Sequence, residues 1–171
     1  MSDTLSRRRY LAGTGAALTI GTLAGCSGGG DGGDGGDGGD GGDGGSAIED
    51  VPSAIDGYLS DARMYDGTMV DATGQDEVAI EVGAGDIGYA FSPAAVRIDS
   101  GTNVVWEWTG EGGGHNVEST EESESDFENG ETVSEEGYTF EQSFDNTGVQ
   151  LYRCTPHQAN GMLGAIEVVE A

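Results

Sequence analysis

The chain has 171 residues and carries 32 Asp and Glu against six basic residues, all of them Arg, for a formal charge of -26. Such a polyanion does not bind a phosphate backbone, so nucleic acid is excluded as a partner, and its self-repulsion is relieved by concentrated salt, which shortens the Debye length to about 3 Å near 1 M. Setting aside the first 46 residues, which do not read as a packed domain, about 125 remain, enough for one core.

The N-terminus reads as an address. Residues 6–11 are SRRRYL, followed by the weakly apolar AGTGAALTIGTLAG. Paired arginines before a short apolar stretch mark twin-arginine export, with Arg7 and Arg8 as the pair. The fifteen residues from Leu11 to Gly25 are too few to span a bilayer comfortably as a helix, so residues 1–25 read as a signal and not an anchor. Leu23-Ala24-Gly25-Cys26 has the form of a lipobox, in which cleavage leaves Cys26 as a lipid-bearing N-terminus; a free Cys after a longer signal is the alternative. Ser27 to Ser46 is Gly-rich with Asp at every third position from Asp31 to Asp43, and offers no packing surface. Residues 26–46 are thus expected to be a lipid-anchor Cys and a disordered Gly/Asp linker, whose twenty or so residues reach about 25 Å. A Cys26–Cys154 disulfide is disfavoured, because a floppy tract cannot fix disulfide geometry.

Residues 47–75 form a helical or irregular lead-in. Pro52 suits a first helical turn, and Ile55, Tyr58 and Leu59 fall at i, i+3 and i+4, which predicts a short helix. From Glu77 the apolar period becomes two. Val78, Ile80 and Val82 alternate with polar or small residues, as do Val96 with Ile98 and Val104 with Trp106 and Trp108; YTFEQSF, GVQLYRC and LGAIEVVE follow suit. Six to eight short strands predict an all-β fold for residues 76–171, an antiparallel Greek-key β-sandwich. Between Glu118 and Glu136 the chain is mostly Glu, Asp and Ser with one aromatic, Phe127. It lacks the D-x-D-x-D-G spacing of a calcium loop and is expected to be a solvated acidic loop.

Chemistry gathers near the C-terminus. RCTPHQANGMLG sets Cys154, His157 and Met162 in the spacing Cys-x2-His-x4-Met. Thiolate, imidazole and thioether are soft or borderline donors that suit copper, and a second imidazole completes a His2Cys set with a weak axial Met. The chain's only other His is His115, 39 residues before Cys154 and just after the Trp-bearing strand. In a sandwich those two loops meet at one end. Structural zinc would favour a fourth strong ligand where Met162 stands, haem c needs a Cys-x-x-Cys-His that is absent, and a Cys–His nucleophile gains nothing from Met162.

On these residues the sequence resembles the cupredoxins of the plastocyanin and azurin group, and among them the halocyanins, the small blue copper proteins of haloarchaea. FSPAAVRIDSGTNVVWEW matches the family's strand pair, with Phe91, Pro93, Val96, Ile98, Gly101, Val104 and Trp106 in place. The resemblance implies a cupredoxin-like sandwich and a single type 1 copper ion held by His115, Cys154, His157 and Met162. It implies that Asn116 ties the two ligand loops together through Thr155, and that electrons pass through the His157 edge. The implied function is that of a monomeric, mobile one-electron carrier and not an enzyme. It would be tethered by lipid to the extracytoplasmic face of the cell membrane and exchange electrons with membrane-bound electron-transfer proteins of a respiratory chain. An extracytoplasmic copper-binding or chaperone lipoprotein is the alternative. A copper oxidase or nitrite reductase would need further His for a second copper, and the chain has two in all.

Overall fold

The computed structural model describes residues 45–171. The export signal with Arg7 and Arg8, the lipobox Cys26 and the Gly/Asp tract up to residue 44 lie outside the described residues.

Among the described residues, ten strands, a short α-helix and a 3-10 helix follow one another. β1 (Ala47–Ile48), α1 (Ser53–Tyr58) and β2 (Met69–Asp71) come first, then β3 (Glu77–Ala84), β4 (Ala90–Ser92), β5 (Ala95–Asp99) and β6 (Asn103–Trp108). After them come β7 (Glu118–Ser119), β8 (Thr139–Ser143), β9 (Gly148–Arg153), the 3-10 helix (Thr155–Asn160) and β10 (Leu163–Val169). The strands make two sheets, one in the order β1-β2-β5-β10-β9-β7 and one in the order β4-β3-β6-β8.

Alternation in the sequence decides which side chains enter the space between the sheets. Ile80 and Val82 of β3, Val104, Trp106 and Trp108 of β6, Val96 and Ile98 of β5, and Ile166 and Val168 of β10 are all buried in one cluster. Trp106 sits at its centre, with ring centroids of Phe127, Phe140 and Tyr152 at 5.6, 5.4 and 5.5 Å. The odd-numbered residues of these strands, and of β9, face the other way. Ala95, Leu151 and Ala165 form a second cluster on the outer face of the six-stranded sheet, covered by Ile55 and Leu59, both fully buried. The i, i+4 pair predicted for α1 is therefore what seats it, and β1 and β2 extend the same sheet through Val70, paired with Ala47 on one side and Val96 on the other.

Two expectations are corrected. The sandwich is not purely antiparallel, since β3 pairs with β6, β2 with β5 and β5 with β10 in parallel. Alternation reports a buried face and is silent on strand direction. The chain crosses repeatedly from one sheet to the other, so neighbouring strands are often not consecutive and need no hairpin. The acidic stretch 118–136 is not simply a solvated loop. β7 pairs with β9, and Phe127 lies in the main core stacked on Trp106.

Candidate metal centre

The hairpin of β9 and β10 opens at one end of the sandwich, and its mouth holds the Cys-x2-His-x4-Met stretch. Leu163 pairs with Arg153, and just beyond that pair the Cys154 N–H donates to the Met162 carbonyl at 3.1 Å. Between them Pro156 starts the 3-10 turn, and Gly161, at φ 82°, ends it in the left-handed region that only glycine enters without strain. With about three residues per 3-10 turn, His157 returns to the side of Cys154, and its N–H donates to the Cys154 carbonyl at 3.0 Å. Met162 is fully buried in the same core cluster as Cys154, and its N–H donates to the His157 carbonyl at 3.2 Å.

His115 comes from the opposite loop, between β6 and β7. Its backbone exchanges two hydrogen bonds with Val133, at 2.9 and 2.8 Å, and its carbonyl accepts from the Trp108 indole. The ring Nε2 lies 2.8 Å from the Glu111 carbonyl. A carbonyl only accepts, so Nε2 carries the proton and Nδ1 presents a bare lone pair. Gly83, at φ 93°, makes room for this arrangement. A Cβ there would lie 2.9 Å from the Glu111 carbonyl oxygen and 3.4 Å from the His115 Nε2.

Three donor atoms converge. His115 Nδ1 is 3.1 Å from His157 Nδ1 and 3.6 Å from Cys154 Sγ, and His157 Nδ1 is 3.5 Å from the same sulfur. A point equidistant from three atoms so spaced lies about 2 Å from each, the length of a metal–imidazole bond. Two ring nitrogens this close need a proton or a metal ion between their lone pairs, and the thiol completes a set of one soft and two borderline donors. Copper fits such a set.

Burial pushes the Cys154 thiol above its ordinary range, against the pull of the Asn116 and His157 backbone N–H groups. Burial also lowers His115 from its ordinary value; its bond to Glu111 opposes this, and the charge of His157 adds to it. The empty-handed forms are thus a neutral imidazole and a thiol, and metal uptake must displace the thiol proton.

Hydrogen bonds lock the two loops together. Asn116 Oδ1 accepts from the Thr155 N–H at 2.7 Å while its Nδ2 donates to the Thr155 hydroxyl at 3.2 Å. Glu118, which composition files among the solvated acids, accepts from the Thr155 hydroxyl at 2.7 Å and from Arg153 at 3.0 Å, gripping both neighbours of Cys154. A second residue without a signal in the sequence is Tyr89, whose ring stacks on His157 at 4.2 Å. Beside it opens a groove lined by Arg63, Asp86 and the exposed Met64 and Ile87. Arg7, Arg8 and Cys26 are not among the residues brought together here, since they lie outside the described part of the chain.

Residues 76–169 match the sequence profile of copper binding proteins of the plastocyanin/azurin family. The chain is 57% identical over 167 residues to a halocyanin of Natronomonas pharaonis, covering 96% of this chain and 98% of that one. It is 33% identical over 98 residues to a plastocyanin of Scenedesmus fuscus, covering 54% of this chain and 99% of that one. Among solved structures, a copper-containing nitrite reductase of Thermus scotoductus shares 21% identity at a TM-score of 0.46, with 56% of this chain matched to 23% of the enzyme.

Proposed function

Because this chain belongs to the plastocyanin/azurin family of copper-binding proteins and takes copper as its cofactor, we propose that it is a mobile one-electron carrier in which His115, Cys154, His157 and Met162 hold one type 1 copper ion. The observation that carries this reading is the convergence of both imidazole Nδ1 atoms and the Cys154 sulfur within 3.6 Å. Bound copper supplies a one-electron couple between its two oxidation states. The chain's own residues keep the surroundings of that couple fixed. Glu111 holds the His115 ring in one tautomer, Asn116 and Glu118 fix the backbone on either side of Cys154 through Thr155 and Arg153, and the core around Met162 excludes water. A site that does not rearrange lets an electron enter or leave with little reorganisation.

His157 is the exit. It is half-buried among the exposed Pro156, Gln158 and Ala159, whereas His115 and Cys154 are fully enclosed. That enclosure also opposes the chaperone alternative, which wants an exchangeable site. Both histidines of the chain are committed to one ion, which leaves none for the second copper of an oxidase or reductase. We assign the chain no catalytic role.

The remaining parts of the proposal rest on sequence and on kinship. A lipid on Cys26, after export directed by Arg7 and Arg8, and the Gly/Asp tether would hold the carrier at the extracytoplasmic face of the membrane. No helix among the described residues is long and apolar enough to cross one. Its partners would be membrane-bound electron-transfer proteins of a respiratory chain, met by a monomer through an apolar contact, since concentrated salt suppresses long-range steering. Electron self-exchange of the copper-loaded chain in molar salt tests the carrier and its exit together. Ala159→Glu should slow it about tenfold or more by placing a carboxylate in the contact; an unaltered rate rules out exit through the His157 face.

A further inference from the structure

Residues 47–65 contribute nothing to the donor set, yet they hold the loop that carries it. None of the residues Thr155–Asn160 is buried, so apart from the Tyr89 ring stacked on His157 the turn is held mainly by hydrogen bonds from elsewhere. Its start is tied by Asn116 and Glu118. Its end is tied by Arg63, whose backbone N–H donates to the Gly161 carbonyl at 2.9 Å and whose Nε donates to the Asn160 carbonyl at 2.8 Å. The Asn160 carbonyl, at a helix terminus, lacks a partner within the turn, and the Gly161 carbonyl accepts from Arg63 alongside the Leu163 N–H at 3.1 Å. The approach is tight, for a Cβ on Gly161 would lie 2.5 Å from the Asp61 carbonyl oxygen.

The same segment reaches the entry strand. The Tyr58 hydroxyl donates to the carbonyl of Tyr152, two residues before Cys154, at 2.9 Å. Beneath both contacts Ile55 and Leu59 pack in one cluster with Leu151 and Ala165, on the strands that lead into and out of the loop. Directly after Arg63 the chain turns through Met64 at φ 60°, a left-handed conformation that a non-glycine residue keeps only where its surroundings impose it.

We propose that residues 58–63 form a brace for the Cys154–Met162 loop, with Arg63 the positioning residue for its His157–Met162 half and Tyr58 for its Cys154 end. The consequence at the metal rests on the copper reading above; the brace itself does not. Tension on the turn sets where the His157 ring and the Met162 thioether stand relative to Cys154, and the potential of a blue copper centre depends on its axial ligand and on the order of its surroundings.

Amide hydrogen exchange of the full chain without metal, compared between the native protein and Arg63→Ala, tests the brace. Loss of a charge-assisted bond should raise the exchange of the Gly161 and Met162 amides about tenfold, with a smaller change at Val104 and Ile166 in the core. Tyr58→Phe, which keeps the packed ring, should raise exchange at Cys154 in the same way. Loop exchange that is unaltered, or that rises only in step with the core, overturns the brace. In the copper-loaded chain Arg63→Ala should shift the reduction potential and speed copper loss to a chelator about tenfold; faster loop exchange with an unchanged potential overturns the positioning role. Failure of the native chain to take up copper would sink the copper reading and leave the exchange result standing.

Discussion

Cys154 is fixed more by its neighbours than by its own side chain. Arg153 and Thr155 both bond to Glu118, and Thr155 bonds also to Asn116, so one carboxylate spans the residue whose sulfur matters most. The Thr155 hydroxyl and then Arg153 hold Glu118 below the usual carboxylate range. A carboxylate whose folded pKa is depressed stabilises the fold above its unfolded value, near 4.3, and loses that contribution as pH falls through the folded one. Glu118→Gln should therefore lower stability at pH 7 by no more than about 1 kcal/mol, since a third of the side chain meets solvent. The difference should vanish at an acidic pH below the depressed folded-state titration of Glu118, where both forms are neutral. Denaturant titration at the two pH values checks this, and a deficit that persists at low pH would mean that Glu118 acts by shape and not by charge.

At the level of elements, the acidic stretch does the work of a strand. Phe127 enters the core against Trp106 and Phe144, the Asn129 side chain accepts from the Val117 N–H, and Val133 bridges to His115. Phe127→Ala should cost about 3–5 kcal/mol, read as a fall in the thermal midpoint; a change within about 0.5 kcal/mol, as at an ordinary surface position, would restore the solvated-loop view. This segment marks the limit of what the sequence discloses. Val78, Ile80 and Val82, or Val104, Trp106 and Trp108, announce their faces because a period of two survives in them, and the burial of Ile55 and Leu59 follows from helical spacing. One Phe among carboxylates has no period, and strand direction leaves no trace in alternation. At the metal centre the proposed ligands His115, Cys154, His157 and Met162 stand out by their scarcity and spacing. Tyr89, Gly83 and Arg63 do not, because each acts through a contact with a segment far away in the chain: the His157 ring, the Glu111 carbonyl and the Asn160 and Gly161 carbonyls.

Across the whole molecule, a charge of -26 with no Lys opposes compaction. Only two ion pairs, Arg97–Glu167 and Arg153–Glu118, offset it among the described residues. Screening should therefore matter more than any one contact. The thermal midpoint should rise by roughly 5–10 °C between about 0.1 M and 2 M potassium chloride, and a flat response would show that the acids are already neutralised by specific binding. Whether His115, Cys154, His157 and Met162 hold one redox-active copper is read from the visible and EPR spectra of the copper(II) chain in molar salt beside Cys154→Ser. An intense blue thiolate-to-copper band with narrow parallel hyperfine splitting, both lost in the variant, is the predicted result. A colourless protein that binds copper weakly, or zinc equally well without redox change, would contradict it.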